Sequence, residues 1–329
     1  MFHYGLPNIL ITKKFLDSQK ENNMTLLVVG SVAFDSIETP FGKTDKVIGG
    51  AATYISLAAS YFSKSTNLIS VVGGDFPKDA IKMLQKHGID TKGLQIIEHE
   101  KSFFWSGKYH IDMNTRETLV TELNVLANFN PVIPEDYQHC DILMLGNLSP
   151  VVQLSVINHL RKRPTLIVMD TMNFWMHTAW NELLATLSKV DVLSINDEEA
   201  RQLSNEYSLV KAAKKILKMG PKILVIKKGE HGALLFNENE VFFAPALPLE
   251  EVFDPTGAGD SFAGGFVGYL SQCPKTDFTS MKKAVIYGSA MASFCVEKFG
   301  PERLINLSQD EINQRIQEFV NLVQFEIKF

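Results

Sequence analysis

Residue types that could do chemistry gather most densely in Val252–Phe266, VFDPTGAGDSFAGGF. Asp254 and Pro255 restrict the entry, and Gly257-Ala258-Gly259 lets the backbone turn sharply with its amides exposed. Between Ser261 and Gln272, Phe262, Phe266, Val267 and Leu270 recur at helical spacing, so the glycines sit at a helix N-terminus. Free N–H groups and the positive end of the helix dipole make that a place for an anion. Asp260 falls in the first turn, beside that place. A carboxylate next to a phosphate-binding turn suits a base that deprotonates an attacking hydroxyl. Taken alone, the same residues read equally as a tight turn followed by an acid that complements the dipole, so this segment needs company before it means catalysis.

Other candidates fall away. Gly42-Lys43-Thr44 ends like a P-loop, but the first glycine of that pattern would stand at Ile37. No GxGxxG follows the first strand, which removes the main support for a dinucleotide site and leaves a nicotinamide dehydrogenase a poor reading. Asp75-Phe76-Pro77 is not the metal-binding triplet of protein kinases. Cys140, Cys273 and Cys295 are far apart and odd in number, which supports neither a disulfide framework nor a zinc site and suits a reducing cytoplasm.

The elements that must position the glycine turn alternate along the chain. Leu26–Val29, 67–72, Ile142–Leu145, 166–169, 190–195 and 223–226 are short β-branched or Leu-rich runs, each separated from the next by a helical pattern. Such alternation predicts a mostly parallel sheet covered by helices on both faces. Ala51–Phe62 is rich in small residues at helical spacing and should pack closely on its neighbours. Two stretches break the alternation: 36–48, with a turn signal near Phe41-Gly42-Lys43, and 102–129, a hairpin turning at Met113-Asn114-Thr115-Arg116. Phe103, Trp105 and Tyr109 share one strand parity there and form an aromatic stripe. These inserted strands are expected to make a small lid or an edge hairpin.

With the glycine turn, four motifs in order resemble the ribokinase-like (PfkB) carbohydrate kinases. The pattern D-x-T-G-A-G-D-x-F matches at Asp254, Thr256, Gly257, Ala258, Gly259, Asp260 and Phe262. A first strand ends in Gly-Ser with Asp35 five residues past Gly30, and Gly49-Gly50 opens the small-residue helix. Asn196–Glu199 fits the family's N-x-x-E element, and Lys228-Gly229-Glu230-His231-Gly232 fits its nucleotide loop. The resemblance runs from about Met24 to Gly300 and implies a three-layer α/β/α fold with a mostly parallel central sheet and a small β-strand lid.

The resemblance also implies roles. Asp260 would take the substrate's proton while the amides of Gly257, Ala258 and Gly259 stabilise the transferred phosphoryl group; such transfer is catalysed mainly by positioning and charge stabilisation. Asn196, Lys228, Gly229, Gly232 and, on the adenine side, Ser289 would hold ATP, and Glu199 would reach Mg²⁺ through water. Asp35, Gly49 and Gly50 would bind substrate hydroxyls, with Asn147 and Asp170 as further substrate candidates and Asn173 a weaker one. Asp254 and Thr256 match positions that bind a monovalent cation such as K⁺ in part of the family. Two departures bear on the substrate: Tyr54 stands where ribokinases carry an Asn, and Phe174-Trp175 replaces a basic residue frequent in sugar kinases.

The expectation is therefore an ATP-dependent kinase acting on a primary hydroxyl of a sugar or sugar-like alcohol. The alternatives are an adenosine-like nucleoside kinase, with Phe103, Phe104 or Trp105 covering the base, and a non-catalytic ligand-binding relative. An exposed lid edge could pair two copies. Among 329 residues, 32 Lys+Arg against 37 Asp+Glu leave a charge of −5, which speaks against a partner held by bulk charge such as nucleic acid. No apolar run reaches the roughly 18 residues a membrane span takes. Residues 1–23 lie outside every motif and read as an N-terminal extension, with Met24 an alternative start that leaves a kinase domain over 24–329.

Overall fold

A computed structural model describes residues 24–324 of the chain. The N-terminal extension read from the sequence lies outside these residues. Among the described residues, thirteen strands form two sheets. In chain order they are β1 Leu26–Val29, β2 Ala33–Thr39, β3 Gly42–Gly49, β4 Thr66–Gly73, β5 Ile89–Ile97, β6 Phe104–Tyr109, β7 Arg116–Glu122, β8 Ile142–Leu145, β9 Leu166–Asp170, β10 Val192–Asn196, β11 Ile223–Lys227, β12 Ala233–Phe236 and β13 Val241–Ala244. The large sheet has the order β13-β12-β11-β10-β9-β8-β1-β4-β5, its strands running parallel except for β12, which is antiparallel to both its neighbours. Its order reverses between β1 and β8, the place where open α/β sheets leave a crevice beyond their carboxyl ends.

The inner strands of the large sheet, such as β1, β4, β8 and β9, are buried on both faces, and their residues alternate between two cores. Leu26 and Val28 join one hydrophobic cluster while Leu27 and Val29 join the other. The helices are α1 Ala51–Ser60, α2 Lys78–Lys86, α3 Pro150–His159, α4 Asn173–Thr178, α5 Trp180–Leu187, α6 Asp197–Ser204, α7 Leu209–Leu217, α8 Ala258–Ser271, α9 Phe278–Cys295, α10 Glu302–Ile305 and α11 Gln309–Val323. The first cluster lies under α1, α8 and α9, and the second under α3, α5, α6 and α7. The small residues of α1 serve the close approach the sequence predicts. A side chain at Gly264 of α8 would overlap the Ile55 carbonyl, and one at Gly268 would press on Ala59.

The small sheet, ordered β3-β2-β6-β7, is the lid. Both insertions contribute a hairpin, joined through the parallel pair β2–β6. The second hairpin turns earlier than expected: Arg116 is the first residue of β7, opposite Tyr109, and not part of the turn. The strand then ends at Glu122, and a short 3-10 turn over Asn124–Asn128 replaces the rest of the expected strand. Phe103 precedes β6, whereas Trp105 and Tyr109 do share a lid face.

Three strands of the large sheet run past their apolar cores. β9 ends on Asp170, β10 on Asn196 and β11 on Lys227, so these polar groups are held by the ladder itself.

Candidate active site

The glycine turn starts α8 three residues earlier than the apolar spacing suggests. Gly257 is its N-cap in the left-handed region, φ 77°, and Ala258 and Gly259 open the first turn. A β-carbon on Gly257 would stand 2.5 Å from the ring of Tyr54, so both the conformation and the Tyr54 contact demand glycine. The Tyr54 hydroxyl is buried and finds no hydrogen-bond partner among the described residues. Asp260 sits third in the helix. Contrary to expectation the Ala258 amide is taken, donating to the Pro255 carbonyl at 3.1 Å, which leaves the Gly257 and Gly259 amides for an anion. Burial and the neighbouring Asp170 push its carboxyl up to about 7, against the pull of Lys227 and Arg116.

Asp35 belongs to β2 and is buried beside the two glycines predicted to serve it. A β-carbon on Gly49 would overlap Asp35 Oδ2, so only glycine leaves room for that carboxylate. Burial pushes Asp35 up to about 7; the Gly50 amide pulls it down, and Asp254 and Asp260 add to the rise. The glycine pair does not offer α1 as an anion site. The first amides of that helix are taken, Ala51 N donating to Ser31 Oγ at 3.0 Å and Ala52 N to the Ser31 carbonyl at 2.9 Å.

The three polar strand ends meet across β10. Lys227 Nζ donates to Asp170 Oδ2 at 2.7 Å, and it lies 3.2 Å from where a β-carbon of Gly259 would be. Burial pushes the Lys227 ammonium down, but Asp170, Glu199 and Asp260 together hold it above its ordinary value. Burial pushes Asp170 up, partly offset by Lys227. Asn196 and Glu199 form a capping box on α6: Glu199 N donates to Asn196 Oδ1 at 2.7 Å, and Asn196 N donates to Glu199 Oε2 at 2.8 Å. The N-x-x-E element therefore does structural work. It also faces the site, because burial first and Asp170 second push Glu199 up to about 7.

Other predicted residues are placed differently. Asn147 accepts the Trp175 indole N–H at 2.9 Å and donates to the Met172 sulfur at 3.0 Å, so its amide is spent on α4 and the segment before it. Asn173 is the first residue of α4, with its neighbour Trp175 turned onto Asn147. Lys228 closes the nucleotide loop with its backbone, N–H to the Gly232 carbonyl at 2.8 Å. Gly229 and Gly232 take positive φ values, 54° and 81°. Ser289 is buried on α9. Both Asp254 oxygens accept backbone N–H groups, from Thr256 at 2.8 Å and Gly300 at 2.8 Å. Thr256 donates its hydroxyl to Tyr109 of the lid at 3.3 Å. A monovalent cation at this pair would thus rest on backbone carbonyls.

The lid supplies a residue that the motifs miss. Arg116, opposite Tyr109, lies with its guanidinium carbon 5.4 Å from the Trp105 ring centre. Its charge also reaches Asp35, Glu199 and Asp260, lowering each. The site thus gathers a glycine-opened helix start, an acid poised near neutrality and two cations, under an aromatic lid. That arrangement can deprotonate a hydroxyl while stabilising charge on a phosphoryl group.

The sequence profile of the pfkB family carbohydrate kinases matches residues 23–306. The chain belongs to the PfkB family. It is 30% identical over 282 residues to a cytidine kinase of Thermococcus kodakarensis, an alignment covering 84% of this chain and 98% of that one. It is 23% identical over 303 residues to an ATP-dependent 6-phosphofructokinase of Thermoanaerobacterium thermosaccharolyticum, covering 84% and 88%. The fold matches the crystal structure of Methanocaldococcus jannaschii nucleoside kinase with a TM-score of 0.72 at 22% identity, covering 90% of this chain and 99% of that one. The sheet and lid are thus a ribokinase-like fold, and the enzyme is an ATP-dependent phosphotransferase.

A PfkB kinase needs a divalent metal with its nucleotide, and the residues present fit one that arrives with the phosphates. Among the described residues no cluster of three or more His, Cys, Asp or Glu could hold an ion by itself. Burial first and Asp170 second nonetheless raise the carboxyls of Glu199 and Asp260, while Asp170 is raised by burial and lowered by Lys227. These carboxyls are a hard oxygen donor set short of a cage, as suits an ion that keeps several waters. Among the described residues no helix is long and apolar enough to cross a membrane. Lys227 could have been found in the sequence as the polar residue that closes an apolar strand; Arg116 carries no such signal, because its strand is exposed along its length.

Proposed function

We propose that this PfkB kinase transfers the γ-phosphoryl group of ATP to the primary hydroxyl of a nucleoside. The observation that carries the reading is the register of the lid: Asp35 on β2 and Trp105 on β6 are direct partners. A carboxylate that binds sugar hydroxyls and a flat indole that suits a base therefore stand side by side, one strand spacing of about 4.8 Å apart. The indole lies along the lid, over Gly107, where any side chain would overlap its ring, and Arg116 rests on it. Tyr54 and Trp175, in place of polar residues common in sugar kinases, point the same way, as does the 30% identity to a cytidine kinase.

In this reading Asp260 accepts the proton of the attacking hydroxyl, and the Gly257 and Gly259 amides face the phosphoryl oxygens. Gly229 and Gly232 shape the nucleotide loop, and Ser289 lies on the adenine side. Glu199 would hold Mg²⁺ through water, and when bound that ion supplies charge neutralisation of the phosphates. The exposed edge strand β7, with Leu119 and Val120 open to solvent, is the surface on which a second copy could add its lid. A free sugar would use the same base and turn without the Trp105 platform.

The test is ADP release from ATP and Mg²⁺ with a panel of pyrimidine and purine nucleosides, ribose, fructose and phosphorylated sugars. A nucleoside should be preferred over ribose by on the order of 100-fold in kcat/KM, about 3 kcal/mol of aromatic burial and base contact. Trp105→Ala should raise KM for the nucleoside far more than for a sugar. Equal use of sugars and nucleosides, or equal effects of Trp105→Ala on both, would overturn the nucleoside reading.

A further inference from the structure

We propose that Lys227 is a direct ligand of the transferred phosphoryl group, held ready by Asp170 beside the start of α8. The inference rests on the phosphotransfer reading of the site and goes beyond its motifs, which place the nucleotide loop one residue later, from Lys228.

Three observations carry it. First, position: Lys227 closes β11 at the ligand end of the sheet, in register with Asn196, and its ammonium comes within 3.2 Å of the place of a Gly259 β-carbon. That is the first turn of α8, at the Gly259 amide. Second, valence: among the described residues Lys227 Nζ donates one hydrogen bond, to Asp170 Oδ2 at 2.7 Å. An ammonium has three donors, so two are left for a ligand. Third, charge: Asp35, Asp170, Glu199 and Asp260 surround a site that must take a polyphosphate. The cations whose charge reaches Asp260 are Lys227 and Arg116, and Arg116 enters only with the lid.

A purely structural ion pair explains less. A buried pair gains little over two well-packed apolar residues. The pairing with Asp170 does something else: it fixes a flexible four-carbon side chain in one direction before nucleotide arrives.

In the reaction, the substrate hydroxyl gives its proton to Asp260 and its oxygen forms a bond to the γ-phosphorus. The bond from that phosphorus to the β,γ-bridging oxygen breaks, and ADP leaves with the electron pair. Lys227 donates hydrogen bonds to the phosphoryl oxygens and neither gains nor loses a proton.

Lys227→Met alone leaves Asp170 buried without a partner and could unfold the strand ends. The informative pair is therefore Asp170→Asn and the double variant Asp170→Asn/Lys227→Met, both free of a lone buried carboxylate, with melting temperatures recorded for each. The double variant should fall below Asp170→Asn in kcat by on the order of 100-fold, the loss typical of one preorganised donor to a transition-state oxyanion. Asp170→Asn/Lys227→Arg should recover part of that loss. Should Asp170→Asn itself lack turnover, affinity for ATP with Mg²⁺ by calorimetry decides, and the double variant should bind on the order of tenfold more weakly. Equal kcat for the two variants, or equal affinity where turnover is absent, overturns the proposal. Turnover by the unaltered enzyme tests the kinase reading separately.

Discussion

The side-chain oxygen of Asn114, at the tip of the second lid hairpin, lies 2.6 Å from where a β-carbon on Gly229 would stand. The lid, built on the acceptor side, thus touches the loop that serves the nucleotide. The tip is rigid for so short a turn: Asp112 Oδ1 accepts the N–H groups of Asn114 and Thr115 at 3.1 and 2.8 Å, an Asx turn in which Met113 takes a positive φ of 53°. Gly229→Ala should therefore hurt twice, through its own left-handed φ of 54° and through the collision with Asn114. The first cost is roughly 1–2 kcal/mol and should lower the melting temperature. The second should hold the lid off the loop and raise KM for ATP and acceptor together. Adding Asn114→Ala should restore the KM values without restoring the melting temperature. Recovery of both together would mean that the backbone term is absent.

Gly49 makes the sharper case of space without strain, because its φ is not positive. Its missing β-carbon is the room taken up by Asp35 Oδ2, while its carbonyl accepts the Thr53 hydroxyl at 2.6 Å and keeps the backbone fixed. Gly49→Ala should therefore displace the carboxylate and not the glycine. A charge-assisted hydrogen bond to substrate is worth about 1.5–3 kcal/mol, so kcat/KM for the acceptor should drop by roughly 10- to 100-fold, with ATP affinity unchanged. A matching drop in ATP affinity would place Asp35 elsewhere than at the acceptor.

The acid at the start of α8 sets the pH dependence of the reaction. With Asp260 pushed up to about 7, kcat/KM should rise with pH through that region and level above it, since the free enzyme's base must be ionised. Asp260→Asn should lower kcat by on the order of 100-fold or more, and the residual rate should lose its acid limb. A residual rate with the same acid limb would move the base to another carboxylate.

Much of this was legible from residues alone. Motif order gave the family, and apolar runs of four to six residues located six of the nine large-sheet strands, β1, β4 and β8 to β11, because parallel strands are buried on both faces. The ends of those runs misled. Asp170, Asn196 and Lys227 look like loop residues, yet each stays in the ladder, because backbone pairing does not depend on the polarity of the side chain. The same blindness hid the capping box inside N-x-x-E and spent Asn147 on Trp175, since side-chain partners distant in sequence leave no periodic trace. The lid was hardest. Its strand β7 has no buried face to impose alternation, and a bulge between Ser106 and Gly107 shifts its register, so Arg116 appeared to belong to the turn.

The acceptor carboxylate should also make stability fall as pH rises. Asp35 has an ordinary value of 3.8 in the unfolded chain and about 7 in the folded one, chiefly because it is buried. Between those values the folded state holds a proton that the unfolded state has released, so raising the pH favours unfolding. Below about 4 the group is neutral in both states and costs nothing; above about 7 the cost is complete. Asp35→Asn removes the titration and keeps an oxygen for the Gly50 amide. Relative to the parent, the variant should therefore gain stability as pH rises from 4 to 7, by at most about 1.4 kcal/mol per pH unit, and gain no more beyond that. Urea unfolding of both proteins at pH 5, 6, 7 and 8 checks this. A gap that stays constant across the series would mean that Asp35 is ionised throughout, held by a partner such as Arg116 rather than isolated by burial.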